Sequence, residues 1–551
     1  MSPGNKQSIS LAQIAATPWF NYSILILLWL FASFWNFGKA FHIDDTGHLE
    51  IARWIAANPL HPMSGVLSWG QDFQPIYQTN QPHLYFYLMA AWGSVFGWTE
   101  ASMHLLMSLF VFWAIFAFYR IANFLSPVSA ILPTVLFAIS PAFVVGQNSM
   151  VDIPLIAVWL EFFWALLDPN RSERGRYLDG ALLCSAALLI KYTSLVLLPA
   201  LLLHMICRKQ YTRLIWGLMP IFVLATWSLF NYFDYGGIHI FGRDIGNRTQ
   251  SYLSFATSWL GTLGAITPFA ILVFIAMSYR STVAIAKLAW LLLAIFNLLF
   301  YTYVLWLYMA SPSSESVNDL LKWSFLINGS ALVVAIVTIT IGKTIRNEIN
   351  LTQLTLLYWL VSSAVFIIGF APFMATRHVL LSVPPLLLLL YFWVIEGRNA
   401  RKFISSAVVL SLMITSLLAM ADRWYADVYR QQAALISSSL PKQSTIWFNG
   451  NWGWQWYATQ SGMKQFSLID GRQKPRAGDF IVSTTRNICC ALPIPNEIKL
   501  EQFQKIVIPR DSRISHFASS RFYRSGPQPW GYYLTPIEEF VVWRVVDVKG
   551  A

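Results

Sequence analysis

Charged residues are scarce in this 551-residue chain: Asp, Glu, Lys and Arg make up 12% of it, where a water-soluble domain carries roughly 25%. Hydrophobic residues reach 56% and mean hydropathy is +0.51. That excludes an ordinary soluble globule and predicts a polytopic α-helical membrane protein. Cysteine is sparse too. Of the four, Cys184 and Cys207 fall in apolar runs, and Cys489 and Cys490 are adjacent, which is poor geometry for a mutual bridge. No disulfide framework and no zinc spacing can be drawn from them. No Gly-rich phosphate loop and no paired acids of a soluble nucleotide-binding domain occur, so a soluble nucleotide-sugar site is not expected. The first 20 residues hold one Lys, and the apolar run behind them is long enough to stay as an anchor rather than be cleaved. A net charge of +12 in a soluble protein would point to nucleic acid. Here the basic residues sit mostly in short loops between apolar runs, so orientation in a bilayer accounts for them and no nucleic-acid partner is expected.

Long apolar runs are what the chain has in place of charge. A helix needs about 20 apolar residues to cross a bilayer. Windows of that kind fall near 21–40, 101–120, 126–146, 151–167, 178–191, 193–207, 214–232, 253–278, 285–307, 323–342, 351–371, 378–395 and 403–421. The count is thirteen, or twelve if 178–207 is one helix; Lys191 in its middle favours a break. With the N-terminus inside, the inner loops, the tip near Arg120 and the N-terminal tail hold 15 Lys and Arg and the outer side of the membrane part holds 7, as the positive-inside rule requires. The loop 42–100 and the tail 422–551 then lie outside the cytoplasm, and the 25 Trp and 23 Tyr suit interface belts. After residue 421 no span-length run occurs. Short strand-like pieces at 444–449, 464–469, 479–484, 505–509 and 539–546, separated by Gly, Pro and Asn, predict a small mixed α/β domain. The expected organisation is a membrane domain over 1–421 and an extracytoplasmic domain over 422–551.

Polar residues at the outer ends of the spans are few enough to examine singly. FHIDDTGHLEIARW (41–54) sets Asp44 and Asp45 just behind the first span. One reading is a helix start, since acids cap helices and suit the positive end of the dipole. The other is an active site, with His48 and Glu50 nearby on a short amphipathic helix lying in the interface. QTNQPHLYFYLMAAWGSVFG (78–97) places Pro82 for a first turn and His83 at the mouth of an aromatic helix. In NSMVDIPL, Asp152 stands two residues before Pro154, where a cap would. Lys191 in LLIKYTSLVLLP, and Arg377 and His378 in PFMATRHVLLSVPPLL, are cations in apolar surroundings. Ionisable groups at such depth are costly and mark function unless they snorkel to the surface. Arg binds phosphate bidentately, so acids and cations gathered at one face suit a phosphate-bearing lipid. One carboxylate can then take a proton from an attacking hydroxyl or amine. Adjacent acids also offer oxygen ligands to a divalent cation at Asp44 and Asp45.

In order and placement these motifs resemble the GT-C superfamily of glycosyltransferases, of the protein O-mannosyltransferase and bacterial aminoarabinose transferase type (glycosyltransferase family 39). The resemblance lies in Asp44-Asp45 after a first span, the aromatic QPHLYFYL segment, Asp152-Ile-Pro154-Leu155, Lys191 in its apolar segment, and Arg377-His378-Val379-Leu380 running to Pro384-Pro385. It covers about 20–395. It implies a donor sugar on a polyprenyl phosphate and a hydroxyl or amine acceptor on a glycan, lipid or protein, with attack in line and inversion. It also implies that Asp44 is the catalytic carboxylate with Asp45 in support. Lys191, Arg377 and His378 would hold the lipid phosphate, and Asp152, His83, His48 and Glu50 would line the cavity. The chain departs from the family pattern at Asp45, where Glu is frequent, at His83, where a second Pro stands, and at His378, where Tyr is usual. The expected location is a bacterial inner membrane, with the catalytic face extracytoplasmic. The rival reading is a transporter or lipid flippase, which predicts an internal repeat of broken helices; no convincing repeat occurs in the sequence.

Overall fold

The computed structural model describes the chain apart from residues 1–17, 70–71, 79–80, 244–249, 311–316, 397–402, 470–471, 486–490, 511–521, 524–527 and 549–551. Cys489 and Cys490, and the inner-side cations Lys6, Arg398, Arg401 and Lys402, lie outside the described residues.

Lipid offers no hydrogen bonds to a backbone, so apolar runs must fold as helices. Each of the thirteen apolar windows carries helix. Among the described residues, seven helices are long and apolar enough to cross a bilayer by themselves, or eight if the bent pair Tyr252–Ala265 and Ala270–Arg280, angled at 93°, counts as one span. The lower number has a physical origin. The first window is a helix of 17 residues, Pro18–Phe34. The window 126–146 breaks at Ser140-Pro141 into Ile131–Ala138 and Pro141–Val145. Asp152–Leu167 has 16 residues and is buried along nearly its whole length, so protein rather than lipid surrounds it. The window 178–207 does break at Lys191, which is extended (φ −158, ψ 129) between Glu173–Ile190 and the helical run from Tyr192 to Cys207.

Close packing inside the bundle depends on small residues where helices cross. A Cβ on Gly264 would come to 2.0 Å from the Phe325 carbonyl oxygen, and one on Gly329 to 1.9 Å from that of Leu260. The helices Tyr252–Ala265 and Val317–Ile345 therefore touch backbone to backbone. The last membrane helix does not stop near residue 421. It runs unbroken from Ile404 to Ser439 and carries the chain directly into the C-terminal sheet.

That sheet has five strands: β3 (Ile446–Asn449), β4 (Lys464–Gln465), β5 (Phe480–Thr484), β6 (Ile498–Ile508) and β7 (Glu538–Val548), following a hairpin of β1 (Val66–Trp69) and β2 (Asp72–Pro75) in the 42–100 loop. The order is β4-β3-β5-β7-β6, parallel on the β4-β3-β5 side and antiparallel beyond it. All five expected strand segments are present. The aromatic stretch 449–460 folds into the helix Trp454–Gln460, whose Trp454, Trp456 and Tyr457 are buried. The helix Asp45–Ala57 packs between the hairpin and the aromatic helix Leu84–Phe96, so one end of the bundle, the hairpin and the sheet meet around residues 44–53.

Candidate active site

Asp44 occupies the N-cap position of Asp45–Ala57 but makes no capping hydrogen bond. The residue before it, Ile43, has φ 54 and donates its N–H to the Trp452 carbonyl at 3.1 Å. A β-branched residue in the left-handed region is strained, and the strain is held where it turns Asp44 away from its own helix. The Asp44 carboxylate accepts instead from Arg377 Nη2 at 2.8 Å. Arg377 Nε lies 3.4 Å from Asp152 Oδ2, and Lys191 Nζ donates to Asp152 Oδ1 at 2.8 Å. Asp152 is the first residue of its helix and not the cap, which is Val151. Two acids and two cations from four separate segments thus form one chain of charge, Asp44–Arg377–Asp152–Lys191.

These four residues line a cavity of about 420 Å³ together with His48 and His378. Its far wall is apolar, built by Phe366, Ile367, Phe370 and Leu381. Arg377 Nη1 is buried and has no hydrogen-bond partner among the described residues. A buried guanidinium N–H without a partner is costly, and Arg377 and Lys191 are the cations that line this cavity beside Asp44 and Asp152. His48 donates from Nδ1 to the Ser149 carbonyl at 3.2 Å, since that oxygen can only accept. Burial, the largest influence, pulls the pKa of His48 down. It is therefore a neutral imidazole whose Nε2 carries the lone pair.

Three of the sequence candidates are not among the residues that line this cavity. Asp45 is fully buried and accepts from the His42 backbone N–H at 3.1 Å. His83 is enclosed by the rings of Phe86, Trp227 and His239. Glu50 faces a different cleft, where it accepts from the Ser68 N–H at 3.2 Å. Helix geometry explains the split: each residue turns the direction by about 100°, so Asp44, His48 and Ile51 share the cavity side while Glu50 and Arg53 take the other. Asp44 and Asp45 turn to different partners, and no group of three or more His, Cys, Asp or Glu able to hold a metal ion occurs among the described residues. The donor set does not fit a divalent cation held at Asp44 and Asp45.

Burial raises the Glu50 carboxyl from its ordinary 4.5 to about 7. A raised carboxylate pKa costs stability as pH climbs from 4.5 towards 7, and the whole cost is present above 7. Glu50→Gln keeps an acceptor for Ser68 and removes the charge. The variant is expected to melt higher than wild type at pH 8 and at the same temperature at pH 4.5; an equal melting temperature at both would show that Glu50 is well solvated.

Sequence inspection missed two features. Arg243, Gln74, Gln78 and Gln81 also line the cavity; polar loop residues carry no local signal of this. Behind Asp44 lies a buried network. Lys39 Nζ donates to Asp422 Oδ2 at 2.9 Å, to Asn36 Oδ1 at 2.7 Å and to Asn148 Oδ1 at 2.5 Å. His42 Nε2 and the Tyr523 hydroxyl approach Asp422 Oδ1 at 3.2 and 3.1 Å. Burial alone would lower the pKa of His42, but Asp422 and Asp45 outweigh it and raise it. This network ties the loop that carries Asp44 to the Ile404–Ser439 helix and to the C-terminal part.

Residues 80–231 match the family model described as dolichyl-phosphate-mannose-protein mannosyltransferase. That match covers 152 of the 551 residues, and the motifs whose order resembles the GT-C glycosyltransferases converge on the one cavity described above. A search of curated proteins gave no match. Among solved structures, ArnT from Cupriavidus metallidurans bound to undecaprenyl phosphate is similar at 12% identity, over 95% of this chain and 97% of that one, with a TM-score of 0.49. The archaeal oligosaccharyltransferase AglB from Archaeoglobus fulgidus, in complex with an inhibitory peptide and a dolichol-phosphate, is similar at 10% identity over 84% and 69%, with a TM-score of 0.45. The arabinofuranosyltransferase AftD from Mycobacteria gives 11%, 96% and 40%, and 0.43. No chemistry of this chain follows from likenesses of that size.

Proposed function

We propose that this protein transfers a hexose or pentose from a polyprenyl-phosphate carrier to a hydroxyl or amine of a glycan, lipid or protein acceptor, on the extracytoplasmic face of a bacterial inner membrane. One observation carries the reading. Two cations, Arg377 and Lys191, line a cavity that is also lined by Phe366, Phe370 and Leu381. A lipid phosphate fits both halves of that cavity, its charge on the cations and its chain along Phe366, Phe370 and Leu381. The family match on 80–231 supports the sugar as the group transferred.

The contacts support a role for each residue. Asp44 takes the proton of the attacking hydroxyl or amine as general base. The new bond forms to the anomeric carbon, the bond from that carbon to the phosphate oxygen breaks, and polyprenyl phosphate leaves with the electron pair. Attack is in line and inverts the carbon. Arg377 and Lys191 stabilise the departing anion, so no general acid is needed. Asp152 holds both cations in place without touching the reacting atoms. Asp45 supports the Asp44 loop through His42, and His378 borders the phosphate end of the cavity. No step is routed through a metal.

The phosphate assignment is tested by Arg377→Lys. Lysine keeps the charge but replaces a planar fork, whose separate nitrogens reach Asp44 and Asp152, with a single donating atom. Binding of polyprenyl phosphate to the purified protein is expected to weaken roughly tenfold, the worth of one or two charged hydrogen bonds. Unchanged affinity in Arg377→Lys, with Arg377→Ala also unchanged, would move the phosphate elsewhere.

A further inference from the structure

On the opposite side of the Asp45–Ala57 helix from the transfer cavity lies a second, larger cleft. It has two adjoining chambers of about 680 and 810 Å³, which share Trp447, Lys464, Arg472 and Gln473 as walls. Each chamber is in the size range of sites for small ligands, and together they make an elongated groove along the β4 edge of the C-terminal sheet. Its lining is unlike that of the transfer cavity. Side-chain amides recur along the first chamber, at Gln455, Gln460, Gln465 and Gln473. An amide offers a donor and an acceptor side by side, and one half of three of these is already used, since Gln455 accepts from the Gly453 N–H, Gln465 donates to Ser68 Oγ and Gln473 accepts from Lys464; the other halves of Gln465 and Gln473 remain for sugar hydroxyls. Two large rings form the floor: Trp447 and Trp456 are 4% and 5% exposed. The Trp456 indole N–H has no hydrogen-bond partner among the described residues.

Charge narrows the ligand. The two chambers hold five cations among their described residues, Arg53, Lys464, Arg472, Lys474 and Arg476, against Glu50, Asp479 and Glu497. Asp479 is already spent on the Trp447 indole, at 3.0 Å, and on the backbone N–H groups of Thr445 and Arg476. Two of the guanidinium groups are stacked on rings, Arg53 at 4.3 Å from the centre of Trp456 and Arg472 at 3.5 Å from that of Phe73. Stacking holds the planar forks in place with their N–H edges free for carboxylate or phosphate. A peptide would be expected to add to the sheet edge, but β4 is two residues long, too short to pair with an incoming strand.

We propose that this cleft binds an acidic saccharide, a segment of the acceptor glycan held apart from the reacting end. Its identity as acceptor rests on the transferase reading; the binding does not. The helix Asp45–Ala57 and the β1–β2 hairpin are shared walls: His48, Ile51 and Trp69 face the transfer cavity, and Glu50, Arg53 and Ser68 face the cleft. A glycan seated in the cleft would therefore lie directly behind the element that carries Asp44.

The test is direct binding to the full-length purified protein in lipid nanodiscs, read by tryptophan fluorescence. The probes are an oligogalacturonate, a neutral cello-oligosaccharide of equal length and an oligoglutamate. Oligogalacturonate is expected to bind, more weakly as salt is added. Binding should fall roughly tenfold or more in Lys464→Glu/Arg472→Glu, which reverses two exposed charges. Arg53→Gln, which removes the guanidinium stacked on Trp456, should weaken it by a smaller factor, and Asp44→Asn should bind as wild type does. Equal binding of the neutral sugar, indifference to the charge reversal, or no binding of any probe would overturn the proposal. Oligoglutamate binding alone would overturn the saccharide assignment. Normal oligogalacturonate binding by a protein that transfers no sugar would sink the transferase reading and leave this one standing.

Discussion

Asp44→Asn should leave a folded protein that transfers essentially no sugar. The amide can still accept a hydrogen bond from Arg377, so the loop should keep its place, and Ile43 is held independently by the Trp452 carbonyl. What is lost, in the proposed mechanism, is the group that takes the acceptor's proton, a contribution on the order of 10²–10⁴ in rate. The expected pattern is a collapse of kcat with donor binding nearly unchanged, because Arg377 and Lys191 remain. The measurement is steady-state transfer by purified wild type and variant, with melting temperatures compared first. A variant that kept most of its activity would shift the base to another cavity group, and the neutral His48 imidazole would be the first to test.

The second large effect is on stability. Asp422→Asn should destabilise the protein by about 3–5 kcal/mol, the usual cost of leaving one partner of a buried ion pair alone. Lys39 and Asp422 are each 1% exposed, so water cannot take over the charge of Lys39. His42 and Tyr523 lose their shared anion in the same change. Since this network anchors the loop in front of Asp44, activity should fall together with melting temperature. Replacing both partners with apolar residues, Lys39→Met/Asp422→Leu, should recover part of the stability, because the stranded charge is gone. A single Asp422→Asn variant that melts like wild type would show that the pair is hydrated.

How much of this was legible in the sequence depends on the range of the interaction. The break at Lys191 was legible, because a lone cation inside apolar residues has a local cost. The strands at 446–449 and 480–484 were legible from their β-branched and aromatic runs between turn residues. The extension of the last helix to Ser439 was not, because its apolar pattern ends near 421 while polar helix-formers carry it on. The pairing of Asp44 with Arg377 joins residues 333 positions apart, and no local pattern encodes it; the order of the spans put both at one face, and the likeness to a known family put them in one site. Nearness in sequence misled for Asp45, Glu50 and His83. On or just before a helix, one or two positions turn a side chain to another wall, and Glu50 was drawn into the cleft rather than the cavity. No local pattern marks Lys39 or Asp422; their meeting joins residues 383 positions apart and is a property of the fold alone.

The most direct measurement of the central claim is transfer of a labelled sugar from a panel of polyprenyl-phosphate sugars by the purified wild-type protein in lipid vesicles. The account predicts transfer to an added acceptor with release of polyprenyl phosphate in equal amount. No transfer from any donor in the panel, with the same vesicles moving the labelled lipid from one leaflet to the other, would contradict it and make the protein a lipid transporter.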